Sequence, residues 1–174
     1  MPNTIPNALR ISGRAVMLAA AALTGLAAAG PAQAQTEYRQ KISNDMTRCQ
    51  AGKPSAVMVT VDDIKSAQGT IRVQLYRGTK ADWLEKGRWL YRIEAPARAG
   101  TMTFCLPAPG PGTYGVAVRH DVNKNGSTDI TQDGGAMSNN PSLNVFNLGK
   151  PSYKKTAFEV GNSVKSIRIQ MRYL

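Results

Sequence analysis

The sequence predicts an all-β fold: a seven-stranded antiparallel β-sandwich, immunoglobulin-like or transthyretin-like, with one short helical turn. Three observations predict it. Short segments alternate apolar and polar residues, as in Val57-Met-Val59-Thr-Val61. Clusters of Gly, Pro, Asn and Asp separate these segments. Only one stretch, Thr79–Lys86, suits a helical turn. A period of two with one face packed and one face wet is the mark of strands in a sandwich.

The first 34 residues read as a segment outside the fold. Arg10 and Arg14 precede an apolar run from Ala15 to Ala29, and Ala32-Gln33-Ala34 forms an A-x-A site. This is the pattern of a secretory signal peptide, with cleavage expected after Ala34. The run is shorter than the roughly 20 residues a bilayer requires. No later segment is apolar enough to span one, so no membrane span is expected after cleavage. The expected location is the periplasm or the exterior.

Residues 35–54 are polar and aperiodic and read as a flexible N-terminal arm, with the sandwich domain following over 55–174. Cys49 and Cys105 are the only cysteines. In an oxidising compartment such a pair is expected as a disulfide. Closing that loop stabilises the fold by about 4 kcal/mol in the chain-entropy model.

The strands follow in order. Val57, Val59 and Val61 face inward in the first, and Asp62–Gly69 is a turn region. Ile71, Val73 and Leu75 face inward in the second. Thr79 caps the helical turn and Gly87 stops it, so that Trp83 and Leu84 cover one end of the sandwich. Trp89, Tyr91 and Ile93 share one face of the third strand, and Met102, Phe104 and Leu106 mark the fourth. The same alternation turns Cys105 outward, toward the arm. Pro107–Gly112 cannot continue a ladder, because its three prolines lack an amide donor. Tyr114, Val116 and Val118 face inward in the fifth strand. Strands resume at Lys155–Val160 and Val164–Met171, with Gly161-Asn162 as a hairpin-type pair between them.

The stretch from Asp121 to about residue 153 lacks any strand period and reads as a long loop. Asp121, Asn123, Asn125, Gly126, Ser127 and Asp129 occupy positions 1, 3, 5, 6, 7 and 9 of a calcium loop. Position 12 is Gln132 rather than Glu, with Asp133 next. Two readings fit these residues. A hard cation takes alternate side-chain oxygens, while Asx turns use the same residues to satisfy their own backbone. Calcium is therefore the one cofactor the sequence suggests, bound through Asp121, Asn123, Asn125, Ser127, Asp129 and Asp133. His120, the single histidine, is expected to support the loop from the strand end, as are Gly126, Ser138, Asn139 and Asn140. His120 and Asp121 point to opposite faces and form no catalytic dyad.

The chain has 22 Lys and Arg against 11 Asp and Glu. Loss of Arg10 and Arg14 with the signal leaves 20 against 11, a net of +9. Such an excess suits either a solvated cationic face or an anionic polymer as partner. The export signal argues against nucleic acid.

One ordered set of motifs has a counterpart elsewhere. It runs Gly69-Thr-Ile-Arg-Val-Gln-Leu-Tyr76, Pro111-Gly-Thr-Tyr114, His120-Asp121-x-Asn123-x-Asn125-Gly126, Ser138-Asn139-Asn140-Pro141 and Ala157-Phe158-Glu-Val160. Over about Ser55 to Leu174 the chain resembles the bacterial family called domain of unknown function 2141. The resemblance implies an exported β-sandwich domain and supplies no catalytic residues. Met137 stands where the family usually has an aromatic, and Ser142–Pro151 departs from its Pro-rich stretch. The sequence thus leads to an exported, non-catalytic binding module of the cell envelope, contacting an envelope ligand or protein through the Asp121–Ser152 loop. The alternatives are a cationic structural protein meeting anionic polymers, and a hydrolase on a transthyretin-like scaffold. The last lacks support, since the chain has one histidine and ends Met171-Arg-Tyr-Leu174.

Overall fold

Two sheets face each other across the rows of Val, Ile and Leu that the alternation marks. The structure, a computed structural model, describes residues 37–129, 131–142 and 149–173. The expected signal peptide lies outside the described residues. The strands are β1 (Gln40–Lys41), β2 (Ala56–Ile64), β3 (Thr70–Arg77), β4 (Trp89–Pro96), β5 (Gly100–Pro107), β6 (Gly112–Asp121), β7 (Gly134–Met137), β8 (Phe158–Val160), β9 (Val164–Gln170) and β10 (Arg172–Tyr173). The larger sheet runs β1-β4-β3-β6-β7-β10, with β8 also on β6, and the smaller runs β5-β2-β9.

The core is the one the alternation predicts. Val57, Val59, Val61, Ile71, Val73, Leu75, Phe104, Leu106, Val116 and Ile169 are fully buried in one cluster. Burying each such side chain contributes roughly 1.5–3 kcal/mol before conformational entropy is counted. Tyr114 belongs to the same cluster, and its hydroxyl donates to the Gly110 carbonyl at 2.8 Å.

Several expectations need correction. Ten strands, not seven, are present among the described residues. The pairing is mixed rather than purely antiparallel, because β2–β9 and β1–β4 are parallel. The Gly161-Asn162 pair makes no hairpin: β8 joins β6 in the larger sheet, while β9 joins β2 in the smaller one. Ser55 Oγ donates to the Gly161 carbonyl at 2.7 Å and holds this crossing beside the start of β2. The segment expected to begin a strand at Lys155 instead forms a single helical turn, α1 (Tyr153–Thr156).

Thr79–Lys86 is a run of turns without a helix. Leu84 adopts a left-handed φ of 57°, which ends any helical path after one turn. Trp83 does not cover the sandwich end. It lies on the outer face of the larger sheet with Tyr76, Trp89, Ala117 and Met137. Its indole N–H donates to the Pro151 carbonyl at 2.9 Å. Trp89 reaches that face because β4 carries a bulge. Leu75 faces Tyr91 but Tyr76 faces Trp89, so Leu90 is the extra residue. The bulge turns Leu90 into the core and Trp89 away from it.

The arm is tied down along its length. Gln40–Lys41 pairs with Tyr91–Arg92. A 3-10 turn, Met46–Cys49, opens with the Asp45 carboxylate accepting from the Thr47 amide. Cys49 bonds to Cys105 with a Cα–Cα distance of 5.8 Å. Asn44 sits on the free edge of β5, accepting from the Cys105 amide and donating to the Thr103 carbonyl, both at 2.9 Å.

Candidate functional site

The loop grows from the end of β6, where Arg119 and Asp121 share the outer face and His120 faces inward. Asp121 is 3% exposed. Its Oδ2 accepts from Arg119 Nη2 at 2.9 Å and from the Gly126 amide at 3.0 Å. Arg119 Nη1 reaches back to the Gly126 carbonyl at 3.1 Å and Thr128 Oγ1 at 3.2 Å. One buried ion pair therefore folds the loop back over its own strand. Asp121 Oδ1 and Arg119 Nε are buried without a hydrogen-bond partner.

Asp133 braces the far end. It is 5% exposed, and its two oxygens accept from the Val122 and Asp129 amides, each at 3.0 Å. Between these buried carboxylates the side chains satisfy the loop itself. Asn123 Oδ1 accepts from the Asn125 amide at 3.1 Å, and Asn125 Oδ1 from the Ser127 amide at 2.8 Å. Both are Asx turns. Asp129 Oδ2 gathers the Asn123 and Asn125 side-chain amides at 2.8 and 2.7 Å. Gln132 Oε1 takes a further contact from Asn123 at 3.2 Å. Gly126 supplies a φ of 79° for the sharp turn. Residues 123–128 are exposed.

The structure brings Asp121, Asn123, Asn125, Gly126 and Asp129 together and joins Asp133 to them through backbone amides. The Ser127 side chain does not join this network. Arg119 was not singled out from sequence. The signal was its position: two residues before Asp121 on a strand, it shares a face with that carboxylate.

His120 is fully buried and pairs with Gly134 in the sheet. Its Nε2 lies 2.6 Å from the Gln68 carbonyl and its Nδ1 2.8 Å from the Tyr173 hydroxyl. A carbonyl can only accept, so Nε2 carries the proton. The Tyr173 hydroxyl donates to Nδ1 while accepting from the Lys65 amide at 3.0 Å. Burial first, opposed by that amide bond, moves the Tyr173 phenol above its ordinary pKa. His120 thus fastens the β2–β3 turn to the C-terminal strand.

Ser138, Asn139 and Asn140 support more than the loop. Ser138 Oγ accepts from the Val116 amide at 3.0 Å and donates to the Thr156 carbonyl at 2.5 Å. Asn139 Nδ2 donates to the Ala157 carbonyl at 2.8 Å. Asn140 crosses to the smaller sheet, donating to the Arg168 carbonyl at 3.2 Å and accepting from the Gln170 amide at 2.8 Å. Asn139 and Asn140 have left-handed φ values of 64° and 47°, which asparagine tolerates better than other side-chain-bearing residues. The preceding strand, β7, was invisible in sequence because Gly134-Gly135 carries no apolar alternation.

A family model described as an uncharacterized protein conserved in bacteria (DUF2141) matches residues 59–168. The chain belongs to the DUF2141 family. The matched span holds the whole Asp121–Asp133 network and the Ser138-Asn139-Asn140 clamp. No curated protein and no solved structure matches this DUF2141 protein. Among its described residues no helix is long and apolar enough to cross a membrane. Among the same residues no three His, Cys, Asp or Glu side chains gather in a way that could hold a metal ion. A cation at the loop would need amide or backbone oxygens beside any carboxylate.

Proposed function

We propose that this DUF2141 protein is an exported, non-catalytic binding module of the cell envelope, with the 121–152 loop as its contact surface. The observation that carries this reading is the division of the loop. Its carboxylates at 121 and 133 are buried braces, while residues 123–128 stand exposed beyond the end of β6. A preordered polar loop on a sandwich scaffold is a common form of recognition surface. The signal-like first 34 residues and the Cys49–Cys105 bond support export. Both ring nitrogens of His120 serve structural bonds, which supports a non-catalytic role.

Calcium is the ion this loop would take. Support comes from the buried, unpartnered Asp121 Oδ1 and from the alternate oxygens of Asn123 and Asn125 further along the same loop. An amide oxygen has a second lone pair, so an Asx-turn bond leaves it able to ligate. Arg119 already neutralises Asp121, and Gln132 replaces the usual acid, so the site would be weak. The test has two arms. Calorimetric titration with calcium should give a saturable signal that Asp121→Asn removes. Association with an isolated envelope fraction should fall in a Lys124→Gly/Ser127→Ala variant that melts like the wild type. Unchanged association in that variant would remove the loop as contact surface.

A further inference from the structure

We propose that the charged half of the larger sheet's outer face, where Lys41 and Arg172 are exposed, is a docking surface for an acidic polysaccharide. The register builds a charged row across the strands. Glu94, Arg72 and Arg119 stand directly side by side on β4, β3 and β6. Gly135 follows on β7, and Arg172 stands beyond it on β10. The next row adds Lys41 and Arg92. Five cations thus share the face with two carboxylates, Glu94 and Asp121. Glu94 alone serves Arg72 at 2.6 Å, Arg92 at 3.7 Å and Lys41 at 3.9 Å. Asp121 is engaged by Arg119.

Two acids leave part of this positive charge unbalanced. Like charges directly opposite on neighbouring strands destabilise a sheet, and Arg72 faces Arg119 in register. The crowding is felt at Arg92. Burial first, then the charges of Arg72 and Arg119, lower its pKa from the usual value, with Glu94 and Tyr76 acting in the opposite sense. An anion laid over the row relieves that repulsion.

The shape selects the kind of anion. Neighbouring strands are about 4.8 Å apart, so Arg72 and Arg119 are separated by about that step and Arg119 and Arg172 by about twice it. Gly135 leaves a gap without a side chain between the latter pair. That spacing is on the scale of successive sugar rings in an extended chain carrying carboxylates. A membrane surface would call for apolar side chains beside the cations. Met46 is the one exposed large hydrophobic among the described residues, and it lies in the arm's 3-10 turn. Single-stranded nucleic acid would call for open aromatic platforms. Trp89 is buried, with the Arg92 guanidinium 4.1 Å from its ring centroid.

The proposal does not depend on calcium, and its test leaves Arg119, which the loop engages, unchanged. Its test is the binding of the full mature chain to polygalacturonate across a salt series. Wild type should bind, with an affinity that falls steeply as salt rises. Arg72→Gln/Arg172→Gln should lose about tenfold in affinity and flatten the salt slope by one to two released ions. Lys53→Gln/Lys165→Gln removes the same net charge at exposed positions near or on the smaller sheet, and should bind like wild type. Arg172→Gln alone, at an exposed position, gives a partial loss if the double variant does not fold. Four outcomes would overturn the proposal: no binding by wild type, equal loss in the lysine pair, equal affinity for neutral dextran, or tighter binding to phosphatidylglycerol vesicles than to the polyuronate.

Discussion

Asn44 and Asn140 cap the two opposite edges of the same three-stranded sheet in the same way. Each presents its side-chain amide as a peptide would, one oxygen accepting a strand N–H and one nitrogen donating to a strand carbonyl. Asn44 does this at Cys105 and Thr103 on β5, and Asn140 at Gln170 and Arg168 on β9. Open edges template aggregation, and this sheet has only three strands. Asn44→Ala and Asn140→Gly should each cost about 1–2 kcal/mol, two modest hydrogen bonds apiece. Glycine keeps the left-handed backbone at 140. The sites lie on strands about 10 Å apart, so the double variant should show the sum. Urea denaturation measures this, and light scattering should rise with concentration in the double variant.

The Cys49–Cys105 bond closes a loop with a sequence separation of 56. Reduction should lower stability by about 4 kcal/mol on the chain-entropy model. The intact mass of the unreduced protein should be lower than that of the reduced form by the two thiol hydrogens. Both cysteines reacting with a thiol reagent in the native, unreduced protein would contradict the pairing.

Tyr76 provides a pH test. Burial raises its pKa from 10.0 to about 12, with Arg92 and Arg72 partly opposing. The folded protein therefore holds the phenol proton where the unfolded chain releases it. The contribution is fully present below pH 10.0 and is lost as pH rises toward 12. Its size is about 2–3 kcal/mol. Alkaline melts of wild type should fall more steeply through that window than those of Tyr76→Phe.

Gly115 lies beneath Trp83. A Cβ there would approach Trp83 Cζ3 to 2.6 Å and Cε3 to 2.8 Å. The indole is pinned by Pro151 and cannot yield freely. Gly115→Ala should destabilise by about 1–3 kcal/mol, and indole fluorescence should change with it.

The loop gives the last test. A weak calcium site, with Kd of about 0.1–1 mM, would stabilise the fold by about 1–3 kcal/mol at 10 mM ion. Magnesium should do less, because it demands a tighter octahedron. Asp121→Asn should abolish the shift, and Ser142→Ala should retain it. A wild-type melt indifferent to calcium would leave the loop an Asx-turn structure.

The buried face of each strand was legible because Val57 to Val61, Ile71 to Leu75 and Tyr114 to Val118 alternate strictly. Pairing partners were not. Gly161-Asn162 has hairpin chemistry, yet a bond from Ser55, more than 100 residues earlier, turns the chain to the other sheet. The β4 bulge adds one residue and so inverts the side of Trp89, which alternation alone cannot signal. The loop's acid and amide residues were legible from spacing. The contribution of Arg119 was not, because an outward arginine on a strand looks like any solvated side chain.

Residues 158–173 have a consequence for when this protein can fold. They visit the larger sheet as β8, the smaller as β9 and the larger again as β10, the Met171 amide bonding Asp62 on the way. The central strand β2 therefore waits for a neighbour that lies more than 100 residues further along the chain. A nascent chain lacking its final turn of the lacing has one sheet half-built and the other without its last strand. Closure of both sheets is postponed until residues 158–173 are available to pair.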